Sequence, residues 1–386
     1  MIKTLVAHTT EVDEASIAIE EIKSQLDLGN LLKNTVGIIN CHYEFCESGV
    51  MQEICEALPF NVVGVISSPS AVNGVADSML LNVMMLTSDD VEFECILTSP
   101  FGDDPCKSVI DSYKQSASAR EDAPSLIFAF APFEPIRCVD DYVDAITEAS
   151  GGVPCFGTVA VDDLVSFLNC NMIYNGEHYY DRLGMILAYG NISPKFYVAN
   201  FSESNILDRS AVITKSEKQI VKEINGRSVD AFFEDLGLKQ ASETTFALTS
   251  LPFLINYKDN SPLVCKQFVN LNEERHAVFA GAMPEGSTFY LAQAERDDIF
   301  ATIDKITDDI LKDAEGASGL LIYSCVARIM ILGSGMYEEL EAVGKKLDGR
   351  LPYIMGYSGG EMCPTNNESG DAVNYFHNNT IIACLF

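Results

Sequence analysis

The stretch that decides the fold lies near the carboxyl terminus and reads LPYIMGYSGGEMCP, from Leu351 to Pro364. A proline is followed by a short apolar segment, Gly356, a run of small residues, and then the lone carboxylate of Glu361. A short apolar run bounded by proline and glycine predicts a buried strand that ends in a tight turn. The chain places a charge directly after this turn, which favours a role for the turn in binding a ligand.

The same pattern occurs twice more in the chain, which predicts an internal repeat. The related stretches are LPFNVVGVISSPS (58–70) and GVPCFGTVAVDD (152–163). Upstream of each of the three glycines, apolar strand-like runs alternate with amphipathic helical patterns, so the repeated unit is β-α-β-α-β followed by a glycine turn. The units are predicted from Thr4 to Gly64, from Glu94 to Gly157 and from Thr288 to Gly356.

These units predict the fold class and the domain organisation. Strands joined through helices are normally parallel, whereas the hairpin-like runs after each glycine turn are antiparallel. We therefore expect an α/β (α+β) protein with mixed sheets covered by helices. Because the chain of 386 residues exceeds a typical single core, we expect two domains, at 1–200 and 201–386. The stretch 196–286 departs from the repeat and reads mainly as strands.

Composition limits the classes of partner. With 56 acidic and 25 basic residues, the formal net charge is −31, which repels phosphate backbones and anionic membrane surfaces. The sequence therefore predicts neither a nucleic-acid partner nor a membrane partner. The 12 cysteines are scattered without a CxxC spacing, and the amino terminus lacks a signal-peptide pattern, so we expect a cytoplasmic protein.

Several common catalytic and cofactor motifs are missing from the sequence. It contains no GxGxxG after a first strand, no GxxxxGK[ST] and no HExxH. The five histidines are dispersed without metal-ligand spacing. We therefore expect no cofactor and no metal, and we expect a binding protein instead of an enzyme.

The carboxyl ends of the strands carry the candidate ligand-binding residues, because loops converge there in α/β sheets. Arg328 and Glu361 follow neighbouring strands of the third unit, and together they match the two charges of an amino-acid zwitterion. The alternative is an ion pair between these two side chains. Each glycine likewise either admits a ligand to the backbone or ends its strand in a tight turn.

Three further candidates also have a structural alternative. Cys325 is a candidate nucleophile only if a base such as His377 lies close to it, and otherwise it belongs to the core or lines a pocket. His377 and Asn378 either support the third turn or cap the final strand. Asp162 follows the second turn and is alternatively a solvated residue or a helix cap.

Several motifs in this order resemble the FIST family. They are VPCFGTVAVDD, AVITKSEKQIVKEINGRSVDAFFEDLGL, SCVARIMILG, GYSGGEM and FHNNT, and the resemblance covers nearly the whole chain. It implies a sensory protein of signal transduction, bacterial or eukaryotic, that binds a small ligand such as an amino acid. Some members are linked to haem-based gas sensing. The first turn, GVISSPSAVNG, departs from the family pattern because it lacks the Gly-Glu pair, and Thr158 stands in place of a second glycine.

The leading hypothesis is a non-catalytic, cytoplasmic sensor of a small ligand. No output domain accompanies the FIST-like region, so we expect a separate signalling protein as its partner. The alternatives are a thiol-dependent enzyme that uses Cys325, a haem-based gas sensor, and a scaffold whose pocket has degenerated. The candidate ligand-binding residues are Ser67, Ser68, Gly157, Thr158, Asp162, Cys325, Arg328, Tyr357, Ser358, Gly359, Gly360, Glu361, His377 and Asn378.

Overall fold

The computed structural model describes residues 2–134, 137–162, 167–201, 203–257, 261–367 and 369–386. The first repeated unit lies at the start of the chain. Its elements are β1 (Ile2–Thr9), α1 (Ala15–Gln25), β2 (Asn34–Cys41), α2 (Glu44–Glu47), α3 (Val50–Ala57), β3 (Asn61–Ile66), β4 (Ser70–Val72), β5 (Val75–Asp77) and β6 (Leu81–Ser88).

The second unit repeats this order of elements. Its second helix begins with two acidic residues and ends at Gly151, whose positive φ of 72° closes the helix in the left-handed conformation. Its elements are β7 (Glu92–Leu97), α4 (Pro105–Ala117), β8 (Leu126–Ala131), α5 (Asp140–Ser150), β9 (Cys155–Val159), β10 (Met172–Tyr174), β11 (Glu177–Tyr179) and β12 (Gly184–Tyr189).

The third unit begins with β13 (Lys195–Ala199) and is then interrupted by an insertion. The insertion builds a sheet of its own and a separate apolar core. Its elements are β14 (Ile206–Glu217), β15 (Ile220–Ile224), β16 (Arg227–Ser228), α6 (Val229–Asp235), α7 (Lys239–Ser242), β17 (Phe253–Asn256), β18 (Val264–Lys266), β19 (Phe268–Leu271), β20 (Ala277–Phe279) and β21 (Thr288–Ala292).

The third unit resumes with a long helix that starts in a capping box between Glu295 and Asp298. Its remaining elements are α8 (Arg296–Asp313), β22 (Leu320–Cys325), α9 (Val326–Leu332), α10 (Glu338–Leu347), β23 (Tyr353–Ser358), β24 (Glu361–Asn366), β25 (Ala372–His377) and β26 (Ile381–Leu385).

The predicted start of the third unit was wrong. The run at Thr288–Ala292 is β21, which pairs with β14 and β17 inside the insertion. The first strand of the third unit is β13, which pairs with β26 on the far side of the insertion in sequence. Local apolar patterning does not reveal which sheet a strand joins, so it could not separate these two strands.

The three units form three six-stranded sheets with the same internal order. In each sheet the two helix-linked strands are parallel, as in β2–β3, and the last strand of the unit inserts antiparallel beside them, as β6 does between β1 and β2. The predicted fold class, mixed sheets covered by helices, is confirmed. The division of the chain at residue 200 stays a prediction.

Each hairpin leaves its own unit and completes the sheet of another. β4 of the first unit pairs with β23 of the third, β10 of the second pairs with β3 of the first, and β24 of the third pairs with β9 of the second. This cyclic exchange places the three glycine-containing strands around one centre. The sheets share an apolar core in which Val63, Phe156 and Tyr323 are fully buried. Among the described residues, no helix is both long and apolar enough to cross a bilayer.

Candidate functional site

The three turns that follow the glycine-containing strands meet at the centre of the molecule, and we call this region the junction (residues 66–68, 158–162 and 357–361). Ser67 and Val161 form a parallel bridge between the first and second turns. The Ser67 hydroxyl donates to the Tyr357 carbonyl at 2.8 Å, and the Thr158 hydroxyl donates to Ser358 Oγ at 2.8 Å. The junction is therefore held together by direct hydrogen bonds among turns that are far apart in sequence.

Gly157 lies inside β9 instead of in a turn, and its φ is not positive. A Cβ built on Gly157 would lie 2.0 Å from the Ala129 carbonyl oxygen of the neighbouring strand, and Gly64 is similarly close to Ile39. These glycines are required for close approach between strands. The expectation that they sit in turns at the strand ends was wrong, because the strands continue past them.

Gly360 is the junction glycine that does need its conformational freedom. Its φ is 140°, and a Cβ there would lie 2.2 Å from the Phe376 ring and 2.8 Å from Asn378 Nδ2. Ser358 accepts a hydrogen bond from the Gly360 amide at 3.0 Å and donates to the Gly360 carbonyl at 2.6 Å. Gly359 donates its amide to the Val159 carbonyl at 2.9 Å. The small residues of this turn are therefore required by close packing and backbone pairing.

Arg328 forms a fully buried ion pair, but its partner is Glu339. The guanidinium Nε and Nη2 lie 2.9 and 2.8 Å from Glu339 Oε1, and Nη2 also donates to the Thr302 hydroxyl at 2.7 Å. The alternative of an Arg328–Glu361 ion pair was wrong. Arg328 lies on α9 and Glu339 on α10, so the pair joins adjacent helices of one unit.

The Glu339 carboxylate has hydrogen-bond donors on both oxygens. Ser324 donates to Oε1 at 3.0 Å, and the Tyr357 hydroxyl donates to Oε2 at 2.9 Å. Burial, followed by the adjacent Glu339 charge, raises the pKa of Tyr357 well above its usual value, which keeps this hydroxyl protonated as a donor. Tyr357 therefore contributes its hydroxyl to the ion pair of Arg328, and its contact with a ligand stays a prediction.

Glu361 is fully buried at the start of β24. Its Oε2 accepts a hydrogen bond from the Thr380 hydroxyl at 2.6 Å. Burial raises the pKa of this carboxyl well above 4.5, and nearby Thr380, Ser358, Arg328 and Cys325 only partly oppose the effect. The carboxyl is consequently protonated at pH values where an exposed glutamate is charged.

Three buried polar groups around the junction each keep one atom without a hydrogen-bond partner among the described residues. They are Glu361 Oε1, Arg328 Nη1 and Asn378 Nδ2. Arg328 influences the pKa of Glu361, and both groups influence the pKa of the Cys265 thiol, so Arg328 and Glu361 share one neighbourhood. Leaving a buried polar group without a hydrogen bond costs about 1–3 kcal/mol in stability.

A small cavity of about 20 Å³ lies at the junction and is lined by Cys325, Gly359 and Asn378. This volume suffices for about one water molecule. Three phenylalanines also line it: the Phe133 and Phe167 ring centroids lie 5.9 Å apart, and those of Phe167 and Phe246 lie 5.4 Å apart. These rings form an aromatic cover, to which the insertion contributes Phe246.

Cys325 and His377 do not form a nucleophile–base pair. Burial, and then the nearby Glu361, raise the pKa of the Cys325 thiol well above its usual value. The His377 imidazole Nε2 lies 3.0 Å from the Cys363 carbonyl oxygen, and burial lowers the pKa of His377 to about 4. The thiol is therefore protonated, and the neutral imidazole donates Nε2–H to a backbone carbonyl.

The remaining two candidates stabilise loops. The Ser68 hydroxyl donates to the Ser78 carbonyl at 3.2 Å. Asp162 Oδ2 accepts hydrogen bonds from the backbone amides of Leu168 and Asn169 at 3.0 and 2.8 Å. The second turn continues into residues 163–166, which lie outside the described residues. The structure does not place Ser68 or Asp162 in the wall of the small cavity, and their contact with a ligand stays a prediction.

Sequence reasoning missed Glu339, Thr380 and the aromatic cover. Glu339 precedes Val343 by four residues and Leu347 by eight, so it lies on the buried stripe of α10. A carboxylate on an apolar stripe is a detectable sign of a buried charge pair. Nothing in the sequence indicates that phenylalanines from the second unit and the insertion meet.

Comparisons with known proteins identify the family of the chain. No curated protein matches it. One solved structure with some resemblance is T. maritima PurL complexed with FGAR, at 10% identity and a TM-score of 0.20, with 100% of this chain and 72% of that chain covered. A TM-score of 0.20 does not indicate a shared fold. The FIST N domain model matches residues 35–227, and the FIST C domain model matches residues 229–364. The chain therefore belongs to the FIST family.

Proposed function

We propose that this protein is a non-catalytic sensor that binds an amino acid or a closely related metabolite at the junction. FIST domains are associated with sensory roles in signal transduction. The observation that carries the proposal is a set of three buried atoms that find no hydrogen-bond partner among the described residues: Glu361 Oε1, Arg328 Nη1 and Asn378 Nδ2.

The chemistry of these atoms matches a zwitterion. Glu361 Oε1 is an acceptor for an ammonium group, while Arg328 Nη1 and Asn378 Nδ2 are donors for a carboxylate. A bound ammonium favours the charged form of Glu361, so binding releases the proton that burial keeps on this carboxyl. The ion pair with Glu339 holds Arg328 in place without using Nη1.

Ligand entry requires the aromatic cover to move, because the cavity beneath it holds only about one water molecule. Phe133 and Phe167 belong to the second unit, whereas Phe246 belongs to the insertion. Binding therefore changes the contact between the insertion and the rest of the molecule. A separate signalling protein then recognises this change. The altered contact between Phe246 and the phenylalanines of the second unit is thus the output of the sensor.

The remaining parts of the proposal concern setting and chemistry. All 12 cysteines are free, which fits the reducing cytoplasm. The raised pKa of Cys325 disfavours the thiolate that a thiol-dependent enzyme requires. The Nε2–H of His377 is directed at a carbonyl, which leaves only Nδ1 for a haem iron. These features favour a sensor over the two alternatives, the thiol enzyme and the haem protein.

The test is a thermal-shift screen of the purified protein against the amino acids, followed by calorimetric titration of any that stabilise it. We expect one group of related amino acids to raise the melting temperature. In Glu361→Gln, loss of the charge-assisted contact should weaken binding by about tenfold to a hundredfold. The substitution is isosteric and leaves an acceptor for Thr380, so the fold should persist.

Glu341→Gln is the matched control, because it makes the same chemical substitution at an exposed residue of α10. It should bind like the wild type. If no amino acid stabilises the wild type, the proposal is wrong and a scaffold with a degenerate pocket becomes the better description. If Glu361→Gln binds like the wild type, the ligand lies elsewhere.

A further inference from the structure

A second, larger cavity lies between α8 and the insertion, and we call it the α8 cleft. Its volume is about 570 Å³, within the range of roughly 300–1,000 Å³ typical of small-molecule sites. One wall is apolar and is built by Val198 of β13, Leu254 of β17 and Val264 of β18. This cleft is distinct from the junction cavity, and the two share no lining residue.

The opposite wall is one face of α8. Asp298, Ala301, Thr302 and Lys305 line the cleft and follow the i, i+3, i+4, i+7 spacing that places residues on a single helical face. The face carries small and polar side chains where a helix packed against an apolar wall would normally carry large apolar ones. Because this face of α8 lacks large apolar side chains, it does not fill the space between α8 and the insertion, and the cleft remains open.

Two polar groups in the interior of the cleft have unused hydrogen-bonding capacity. The Thr365 Oγ1 atom is buried and has no hydrogen-bond partner among the described residues. His377 is 2% exposed, and its Nε2–H is directed at the Cys363 carbonyl, so Nδ1 is left as a bare acceptor. Both residues line the cleft. A buried acceptor and a buried hydroxyl without partners require a ligand that carries a hydrogen-bond donor.

Lys305 supplies the positive charge of the cleft. It forms no ion pair with any described residue, although the chain carries a formal charge of −31 and α8 contains six acidic residues. Lys312 and Lys346, by contrast, pair with Asp309 and with Asp304. Lys305 is thus available to an anionic group of a ligand.

We propose that the α8 cleft is a second binding site, which takes a small aliphatic carboxylate that also carries a hydroxyl or amino donor. The carboxylate binds Lys305, the donor binds His377 Nδ1 and Thr365, and the aliphatic body packs against Leu254 and Val264.

The cleft is connected to the junction through Thr302. This residue lines the cleft, and its hydroxyl accepts a hydrogen bond from Arg328 Nη2 at 2.7 Å. Arg328 in turn binds Glu339 and presents Nη1 without a partner. The Thr302 hydroxyl, which also donates to the Ile299 carbonyl at 2.7 Å, therefore joins the wall of the cleft to Arg328.

The test is calorimetric titration of the full chain with matched probes. 2-Hydroxy-4-methylpentanoate carries the carboxylate, the hydroxyl donor and the aliphatic body, and leucine replaces the hydroxyl with an amine. Of the other two probes, 4-methylpentanoate lacks the donor and 4-methylpentanol lacks the carboxylate. We expect binding of at least one of the first two probes, and binding weaker by about tenfold or more for the last two. Whichever of the first two binds more tightly identifies the donor.

Two variants locate the binding. Lys305→Met and Thr365→Val should each lower the affinity for the preferred probe by about tenfold. Lys312→Met makes the same change of charge on the same helix and should leave this affinity unchanged. Thr365→Val should leave the melting temperature equal or higher, since it removes an unpartnered buried hydroxyl. Glu361→Gln should leave this binding intact, which separates the cleft from the junction. Absence of binding by all four probes, or wild-type affinity in both cleft variants, overturns the proposal.

Discussion

At the scale of single residues, the junction is dominated by buried charge. Arg328 and Glu339 are both 0% exposed, and each has several hydrogen-bonding partners. Glu361 has no cation in direct contact among the described residues, and burial raises the pKa of its carboxyl well above 4.5. A buried carboxyl either pairs or takes up a proton, because an isolated buried charge is too costly. The molecule uses both solutions within one unit.

The neutral state of Glu361 predicts a dependence of stability on pH. The pKa of Glu361 in the folded protein is raised above 4.5. The protonated carboxyl therefore contributes fully to the free energy of unfolding below pH 4.5, and this contribution is lost as the pH rises through the raised pKa. Glu361→Gln cannot ionise. We expect the variant to become more stable than the wild type above pH 4.5, by about 1.4 kcal/mol for each unit by which the pKa is raised.

Chemical denaturation between pH 4 and pH 8 measures this difference. The free energies of unfolding of wild type and variant should be similar at pH 4 and diverge as the pH rises. Glu341→Gln should follow the wild type throughout, because Glu341 is exposed. Parallel curves for wild type and Glu361→Gln would show that Glu361 is charged in the folded protein.

At the scale of elements, the close approach of paired strands fixes the positions of the repeated glycines. In the first two units, the glycine of the third strand faces the backbone carbonyl of the parallel neighbour, Ile39 or Ala129. The repeat of glycine along the sequence therefore reflects a repeated contact between strands. The junction residues begin one or two positions after these glycines.

Gly157→Ala tests this element-level requirement. Its Cβ would lie 2.0 Å from the Ala129 carbonyl oxygen, so β8 and β9 would have to separate. We expect a loss of about 1–3 kcal/mol in the free energy of unfolding, as for other overpacked sites. Gly29→Ala is the control, since no atom lies within 4 Å of its added Cβ and its φ is not positive. Equal stability of the two variants, measured by urea denaturation, would refute the explanation.

At the scale of the whole molecule, the exchange of hairpins makes the three units depend on one another. β4 pairs with β23, and β9 pairs with β24, so strands of the first two units pair directly with strands of the third. Unpaired strand edges favour aggregation. The junction exists only when all three units are present, because each contributes one turn to it.

A fragment of residues 1–190 tests this dependence. It retains the first two units but lacks β23 and β24, so we expect it to aggregate or to unfold without a cooperative transition. Adding the complementary fragment 191–386 should restore a soluble complex with a cooperative thermal transition. Circular dichroism and size-exclusion chromatography measure both properties. A fragment 1–190 that is monomeric and melts cooperatively would show that the first two units form an independent domain.

The sequence by itself determined the repeated unit, the fold class, the family and the stretch of chain that carries the third turn. These features depend on local patterns, such as apolar periodicity and the spacing of glycine and proline, which are visible along the chain. The sequence also proposed Glu361, Arg328 and Asn378 as ligand-binding residues, because charged or amide side chains beside apolar strands are conspicuous, and their contact with a ligand stays a prediction.

Only the tertiary structure decided which strand begins the third unit, which carboxylate pairs with Arg328, and where the hairpins go. β13 and β21 have similar apolar patterns, and Glu339 and Glu361 both lie within reach along the chain, so local sequence did not choose between them. The choice depends on contacts between elements far apart in sequence. Burial then determined the chemistry: it removed water from Glu361, Arg328 and Asn378 and left one atom of each without a hydrogen-bond partner in the described part of the chain.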